Sequence, residues 1–413
     1  MKYQTGKLLI FLSSIAFILI ICFSQCIDKH QTKVNVRGQA YADPKSCIKC
    51  HSNVYASYTQ TGHFHTSKQI TGDGLQRDIV ADSSTFNFNS QLKINIEKRG
   101  TAIYQVAYYN NQKIKEAQFA VAFGSGEKAQ TYGYWKGNKL FELPLSYFKI
   151  IHNWANSPGF PPNEAYFNRE IVSRCFNCHG SYLERKFVQS GSLSVSEEYD
   201  KNSVIYGIDC QRCHGPAAEH VNYQAENPQD KQAKFITPYK ALTRQQKVDM
   251  CSVCHSGNDL KVTRSVFSFR PGDTTTNFYE PNFGFSEEPD VHGNQYNLLK
   301  NSKCFANSVT MTCTNCHNSH EKETGNMVNY SQKCMSCHKT EDHNFCKMAP
   351  QLGNAINTKC VDCHMPAMPS KVISFKMTDA KNSSPYLLRT HRIAVYPQQT
   401  AQVLQMLRKF NKQ

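Results

Sequence analysis

The sequence predicts a mainly α fold with long loops, packed around covalently attached groups, plus one small antiparallel β insert. Three observations predict it. The pattern C-x-x-C-H occurs seven times along the 413 residues. Leucine and isoleucine are sparse in the middle of the chain, whereas Cys (18), His (16) and Tyr (21) are plentiful, so something other than aliphatic side chains fills much of the interior. The stretch Thr85–Phe148 is free of cysteine and alternates apolar with polar residues, the period of a half-buried strand.

The seven motifs are Cys47/Cys50/His51, Cys175/Cys178/His179, Cys210/Cys213/His214, Cys251/Cys254/His255, Cys313/Cys316/His317, Cys334/Cys337/His338 and Cys360/Cys363/His364. Cysteines three apart on a helical turn can each form a thioether to one haem vinyl group, and the next residue then meets the iron axially. One copy would also suit a zinc half-site or a redox dithiol. Seven copies, each with its histidine, do not. A disulfide framework would not demand a histidine after every pair. The expectation is a multihaem cytochrome c fold with seven covalently bound haem c groups and the seven motif histidines as proximal ligands.

Nine histidines remain for the second axial positions: His30, His63, His65, His152, His220, His292, His320, His343 and His391. All but His30 are candidate distal ligands. His220 follows His214 by six residues, beyond a Gly215-Pro216 break. His63 and His65 alternate, so one of the two is expected to ligate. His292, His343 and His391 lie on linkers flanking motifs, and His152 follows the β-rich stretch, where a structural role stands beside ligation. His320 lies one helical turn beyond His317, on the same side of that haem, and is better placed for a different haem.

Motif spacing groups the cofactors. The last three motifs begin only 21 and 26 residues apart, and the second to fourth 35 and 41 apart, too short for separate hydrophobic cores. The chain therefore divides into an export signal at 1–25, a haem 1 segment at 26–84 and a β-rich insert at 85–165. Haems 2–4 follow at 166–300, haems 5–7 at 301–395 and a closing helix at 396–413, where Val403, Leu407 and Phe410 fall at helical spacing.

The N-terminus addresses the chain for export to the periplasmic side. Lys2 and Lys7 precede a 14-residue apolar run, Leu8–Ile21, short for a membrane span. The following FSQC resembles a lipobox with Cys26 as the lipid-modified residue, although Phe23 and Gln25 depart from its pattern. Lipid anchoring, ordinary cleavage and an uncleaved anchor are the alternatives. Two further cysteines, Cys304 and Cys346, are candidates for a disulfide, with two free thiols as the alternative. The net charge of +15 falls to +13 without Lys2 and Lys7. A ferric haem with two imidazoles and ionised propionates carries about −1. The basic residues thus serve as counter-charges to cofactors, and a nucleic-acid role drops out.

The runs GSGEKAQTYGYWKGNKLFELPLSYF, SPGF, FNREIVSRCFNCHG, YGIDCQRCHGPAAEHV, CSVCH, SKCF, MTCTNCHNSH, CVDCHMP and THRIAVY, in that order, resemble a multihaem cytochrome group. It is similar to the tetrahaem electron-transfer cytochrome of ammonia oxidisers and, more distantly, to hydroxylamine oxidoreductase and the pentahaem nitrite reductase. The resemblance spans Ser46 to Tyr396. It implies haems in stacked and perpendicular pairs, with His63 or His65, His220, His292, His320 and His391 as distal ligands and His343 as a weaker match. Two departures matter. There is no C-x-x-C-K motif of the nitrite reductase kind, and no tyrosine is assignable as a crosslink of the hydroxylamine oxidoreductase kind. The expected function is electron transfer between donor and acceptor redox proteins. The alternative is reduction of a small nitrogen or sulfur oxyanion at one five-coordinate haem, and a third reading is a structural component that docks partners through Thr85–Phe148.

Overall fold

The computed structural model describes residues 35–410 except 72–83, 190, 258–259, 281–288, 324 and 343–344. The export segment, Cys26, His30 and His343 lie outside the described residues. The alternating stretch does form strands, and more of them than a small insert. In chain order they are β1 (Ser67–Gln69), β2 (Thr85–Asn87), β3 (Leu92–Arg99), β4 (Ala102–Tyr109), β5 (Gln112–Gln118), β6 (Val121–Phe123), β7 (Ala129–Lys136), β8 (Lys139–Glu142), β9 (Leu145–Phe148) and β10 (Asn153–Asn156).

The turns follow from side-chain chemistry. Asn110 and Asn111 join β4 to β5 with both residues at positive φ, the backbone of the two-residue hairpin turn that asparagine tolerates. β2 to β5 form one antiparallel sheet in sequence order. The second sheet runs β1–β6–β7–β9–β10, with β8 also paired to β7. Their facing sides enclose one core: Phe86, Ile94 and Ile96 from the first sheet meet Tyr132, Leu145 and Trp154 from the second. Gln105 ties the layers together. Its buried amide donates to the Leu145 carbonyl at 2.8 Å and accepts from the Leu145 amide at 3.0 Å, as a neighbouring strand would.

Beyond residue 157 the texture changes to short helices and loops, yet strands persist. β11 (Gly180–Tyr182) pairs with β14 (Ile205–Tyr206), β12 (Arg185–Gln189) with β13 (Val195–Tyr199), and β15 (Ala367–Phe375) with β16 (Ser384–Arg389). Helix takes 33% of the structure and strand 24%, which overturns the mainly α expectation. The physical reason is that many of these strands are only two to five residues long and pair across loops, so no window of sequence shows their alternation. The β15–β16 ladder also slips register between Pro369 and Ser374, which breaks its pattern further. A helix closes the described chain at Pro397–Phe410.

Six of the seven motifs sit at or inside short helices: Ile48–Tyr58, Ser173–His179, Cys210–His214, Arg244–His255, Met327–Met335 and Ile356–His364. The fifth starts on a tight 3-10 turn, Cys313–Asn315. Side chains three apart share a helix face, so the two residues between the cysteines point the other way. Those intervening residues anchor several motifs to the protein. Phe176 is fully buried and packs edge-on against Phe123 of β6, with ring centroids 5.0 Å apart. Gln211 donates to the Ala42 carbonyl and accepts from its amide, both at 2.9 Å. Val253 and Val361 are likewise buried.

The sandwich core is built independently of the motifs. Phe119, 1% exposed, makes edge-on contacts with Tyr132 and Trp154 at 4.8 and 5.9 Å. Phe119→Ala is expected to cost about 3–5 kcal/mol, read as a lower denaturation midpoint, while the visible absorption of the folded protein stays that of the parent.

Candidate functional site

The seven motifs open into one cavity of about 3610 Å³. A site for one small ligand holds roughly 300–1,000 Å³, so this space suits several groups together. All fourteen motif cysteines and all seven motif histidines line it. So do His63, His220, His292, His320 and His391. His65 and His152 do not contribute to that wall. The His65 ring packs edge-on against Phe64 at 5.1 Å, and His152 caps a 3-10 turn with a left-handed backbone.

Motifs far apart in sequence touch. The Cys47 thiol contacts that of Cys210, Cys251 contacts Cys313, and Cys334 contacts Cys360. Motifs two and four meet reciprocally: the Cys178 Sγ lies 3.6 Å from the Cys254 carbonyl oxygen, and the Cys254 Sγ 3.6 Å from that of Asn177. Arg212 in motif three donates to the Asn177 carbonyl at 3.2 Å. Lys333, one residue before motif six, donates to the Cys316 carbonyl of motif five at 2.7 Å. These contacts form a continuous series: one to three, three to two, two to four, four to five, five to six and six to seven.

Several imidazoles are oriented by their Nδ1 atoms. His179 reaches the Thr66 carbonyl at 3.2 Å and its hydroxyl at 2.8 Å, His364 the Ala394 carbonyl at 2.9 Å, and His255 the Gln295 side-chain oxygen at 3.1 Å. Among the spare histidines, His220 reaches the Lys234 carbonyl at 2.8 Å. A carbonyl only accepts, so the ring proton sits on Nδ1 and Nε2 keeps a free lone pair. An outer hydrogen bond of this kind accompanies nearly every metal-ligating histidine.

Three spare imidazoles face motif imidazoles. Ring centroids are 6.1 Å apart for His63 and His255, 5.9 Å for His214 and His320, and 6.2 Å for His317 and His391. With metal–nitrogen bonds of about 2.0 Å, two imidazoles on opposite sides of one metal have centroids roughly 6 Å apart. The spacing therefore fits a shared ion between each pair. Among the described residues no three His, Cys, Asp or Glu side chains converge on one point. The wall offers ligands in pairs, as a metal already held by another group in its equatorial plane requires.

Local structure places these rings. Gly207, at φ +66°, lets the chain pass so close to the His63 segment that a Cβ there would collide with the Phe64 carbonyl. The Ile208 amide then donates to the His63 carbonyl at 3.0 Å. Burial, then repulsion from His255 and His317, pushes His63 down to about 4. His63 does expose ring surface, but that surface is cavity wall and not the outside of the molecule. His391 is also pushed down to about 4, by burial, then His317 and His255, and its Nδ1 is buried without a hydrogen-bond partner. Both rings stay neutral and available as ligands across the ordinary pH range. His292 lies near enough to His179 for their charges to repel.

Cys304 and Cys346 stand as free thiols in the structure. They face different neighbours: Cys304 lies by Cys337 and Cys316, and Cys346 by Cys363. Other residues of the site escaped the sequence reading. The acceptors Thr66, Gln295 and Ala394 lie 113, 40 and 30 positions from their histidines, with no local signal to mark them. Glu142 also lines the cavity, gripped by the Nε and Nη2 of Arg169 at 2.8 and 2.6 Å.

No family model matches the chain, and no curated protein does. Among solved structures it is similar to the outer cell wall cytochrome OcwA, with a TM-score of 0.51 and 16% identity over 88% of this chain and 81% of that one. The likeness is one of fold. It does not reach the ammonia-oxidiser group. Among the described residues, no helix is long and apolar enough to cross a membrane.

Burial pushes the Glu142 carboxyl up to about 7 against the pull of Arg169. A carboxyl whose folded value lies above its unfolded value near 4.5 holds more protons in the folded state, so stability is lost as pH rises from about 4.5 to about 7. Glu142→Gln is expected to remove that slope, on the order of 1–3 kcal/mol across the window, in denaturation curves recorded at pH 4.5 and 7.5.

Proposed function

We propose that the chain is an exported heptahaem c-type cytochrome that passes electrons between a donor and an acceptor protein. The observation that carries this reading is the convergence of seven C-x-x-C-H motifs and five spare imidazoles on one cavity. Each motif would hold one haem through two thioethers, with its histidine as proximal ligand. The facing rings suggest His63 as the second ligand at the His255 site, His320 at the His214 site and His391 at the His317 site. His292 then serves the His179 site, and His220 is left for the His51 site.

Bound haem supplies a one-electron couple at each site. The chain's own residues do the rest. The Nδ1 acceptors fix ring orientation, the motif-to-motif contacts make each site the neighbour of the next, and the lysines and arginines of the wall offset propionate charge. Export through residues 1–25, with Cys26 as a lipid anchor, would place this series on the outer side of a membrane. In this reading segments 26–84, 166–300 and 301–395 hold the cofactors, and the sandwich of 85–165 supports them.

The alternative, reduction of a small nitrogen or sulfur oxyanion at one five-coordinate haem, would show in the spin state of the ferric protein.

Haemochrome analysis is expected to give seven haems per chain, and fewer would sink the proposal. The ferric protein should be low-spin in its electron paramagnetic resonance spectrum. A high-spin signal that shifts with nitrite or hydroxylamine would move the assignment to the reductase. His320→Ala should leave seven haems and open one site, the one built on His214, with the His317 site unchanged. A spectrum in which every site stays six-coordinate without a new ligand would remove His320 from the ligand set.

A further inference from the structure

The motif histidine His317 differs from the others whose Nδ1 partners are described above. His179, His255 and His364 face neutral oxygens, whereas the Nδ1 of His317 lies 3.5 Å from the Oε2 of Glu323. The Tyr330 hydroxyl approaches the same atom at 3.4 Å. The other Glu323 oxygen accepts from the Lys333 Nζ at 2.9 Å, and that ammonium also donates to the Cys316 carbonyl beside His317 at 2.7 Å. The Glu323 side chain is 12% exposed and that of His317 48%, the latter as part of the cavity wall. The Glu323 carboxylate lies within ion-pair distance of the His317 ring, and the Lys333 ammonium is fixed behind it.

We propose that Glu323 is a positioning residue that lowers the reduction potential of the Cys313/Cys316/His317 site, with Lys333 setting how far. The inference rests on the haem reading of that motif. A carboxylate that accepts the Nδ1 proton of an axial imidazole makes the ring a stronger donor and favours the oxidised metal. Lys333 draws charge back from the carboxylate and limits that push. The contacts place this site between motif four and motif six. The tuned site then lies inside the series rather than at an end.

The two side chains have opposite signs, and that separates tuning from simple support. The test is a spectropotentiometric titration of the full exported holoprotein, with haem stoichiometry and the haem-bearing Cys313–His317 peptide checked by mass. Glu323→Gln, which keeps the shape without the charge, should shift one component of the titration towards easier reduction by about tenfold, or 59 mV for one electron. Lys333→Met should shift the same component the other way, and Lys333→Arg should restore it. Unchanged curves in both variants, or shifts of the same sign, would overturn the proposal while the haem reading stands. A parent protein whose Cys313–His317 peptide carries no haem would overturn the haem reading, and this inference with it. If Glu323→Gln does not fold, the Lys333 pair still decides: no shift in Lys333→Met overturns the proposal.

Discussion

Protein interiors pack to about the density of an organic crystal, and the space walled by the seven motifs is not filled by this chain's side chains. That constraint governs everything from residue 157 onward. The helices there are short, several of them five to nine residues long, and marginal as isolated helices. Those that carry a motif turn its cysteines to the cavity, and several of them grip protein with the opposite face. Phe176 on the sandwich, Gln211 on the Ala42 backbone and Val361 against its own surroundings each hold one motif by its back. A wall built this way depends on whatever its cysteines carry. The sandwich supplies the complementary element: a conventional apolar core that needs nothing from the cavity and gives motif two a fixed surface to lean on.

Much of the site was legible in the sequence because its chemistry is local. C-x-x-C-H occupies a single turn, so spacing alone defines each copy. The proposed pairing of His320 with another motif rests on its ring lying opposite His214, a residue more than a hundred positions earlier. What was not legible depends on pairing between distant segments. Nothing near His63 or His65 distinguishes them. The choice is made by Gly207, which presses the chain against Phe64 so that His63 enters the cavity and His65 turns aside.

The fold class was misjudged through length. β3, eight residues long, announces itself by the alternation of Leu92, Ile94 and Ile96. The two-residue β14 and the slipped ladder of β15 and β16 gain their hydrogen bonds from partners that sequence windows do not contain. Charge told a similar half-truth. A strongly basic chain points to anions, but Arg169 on Glu142 and Lys333 on Glu323 show that some cations serve carboxylates inside the wall.

The touching thiols have a consequence for the order of events during biogenesis. Cys47 with Cys210, Cys251 with Cys313 and Cys334 with Cys360 lie side by side in the finished molecule. In an oxidising compartment, neighbouring unmodified thiols are poised to cross-link. A chain that closed first would staple its own motifs together and shut the cavity. In the proposed haem reading, thioether formation would have to outrun collapse and act on an extended polypeptide. The final architecture would then set a timetable, in which each cysteine is chemically retired before the partner that would trap it arrives.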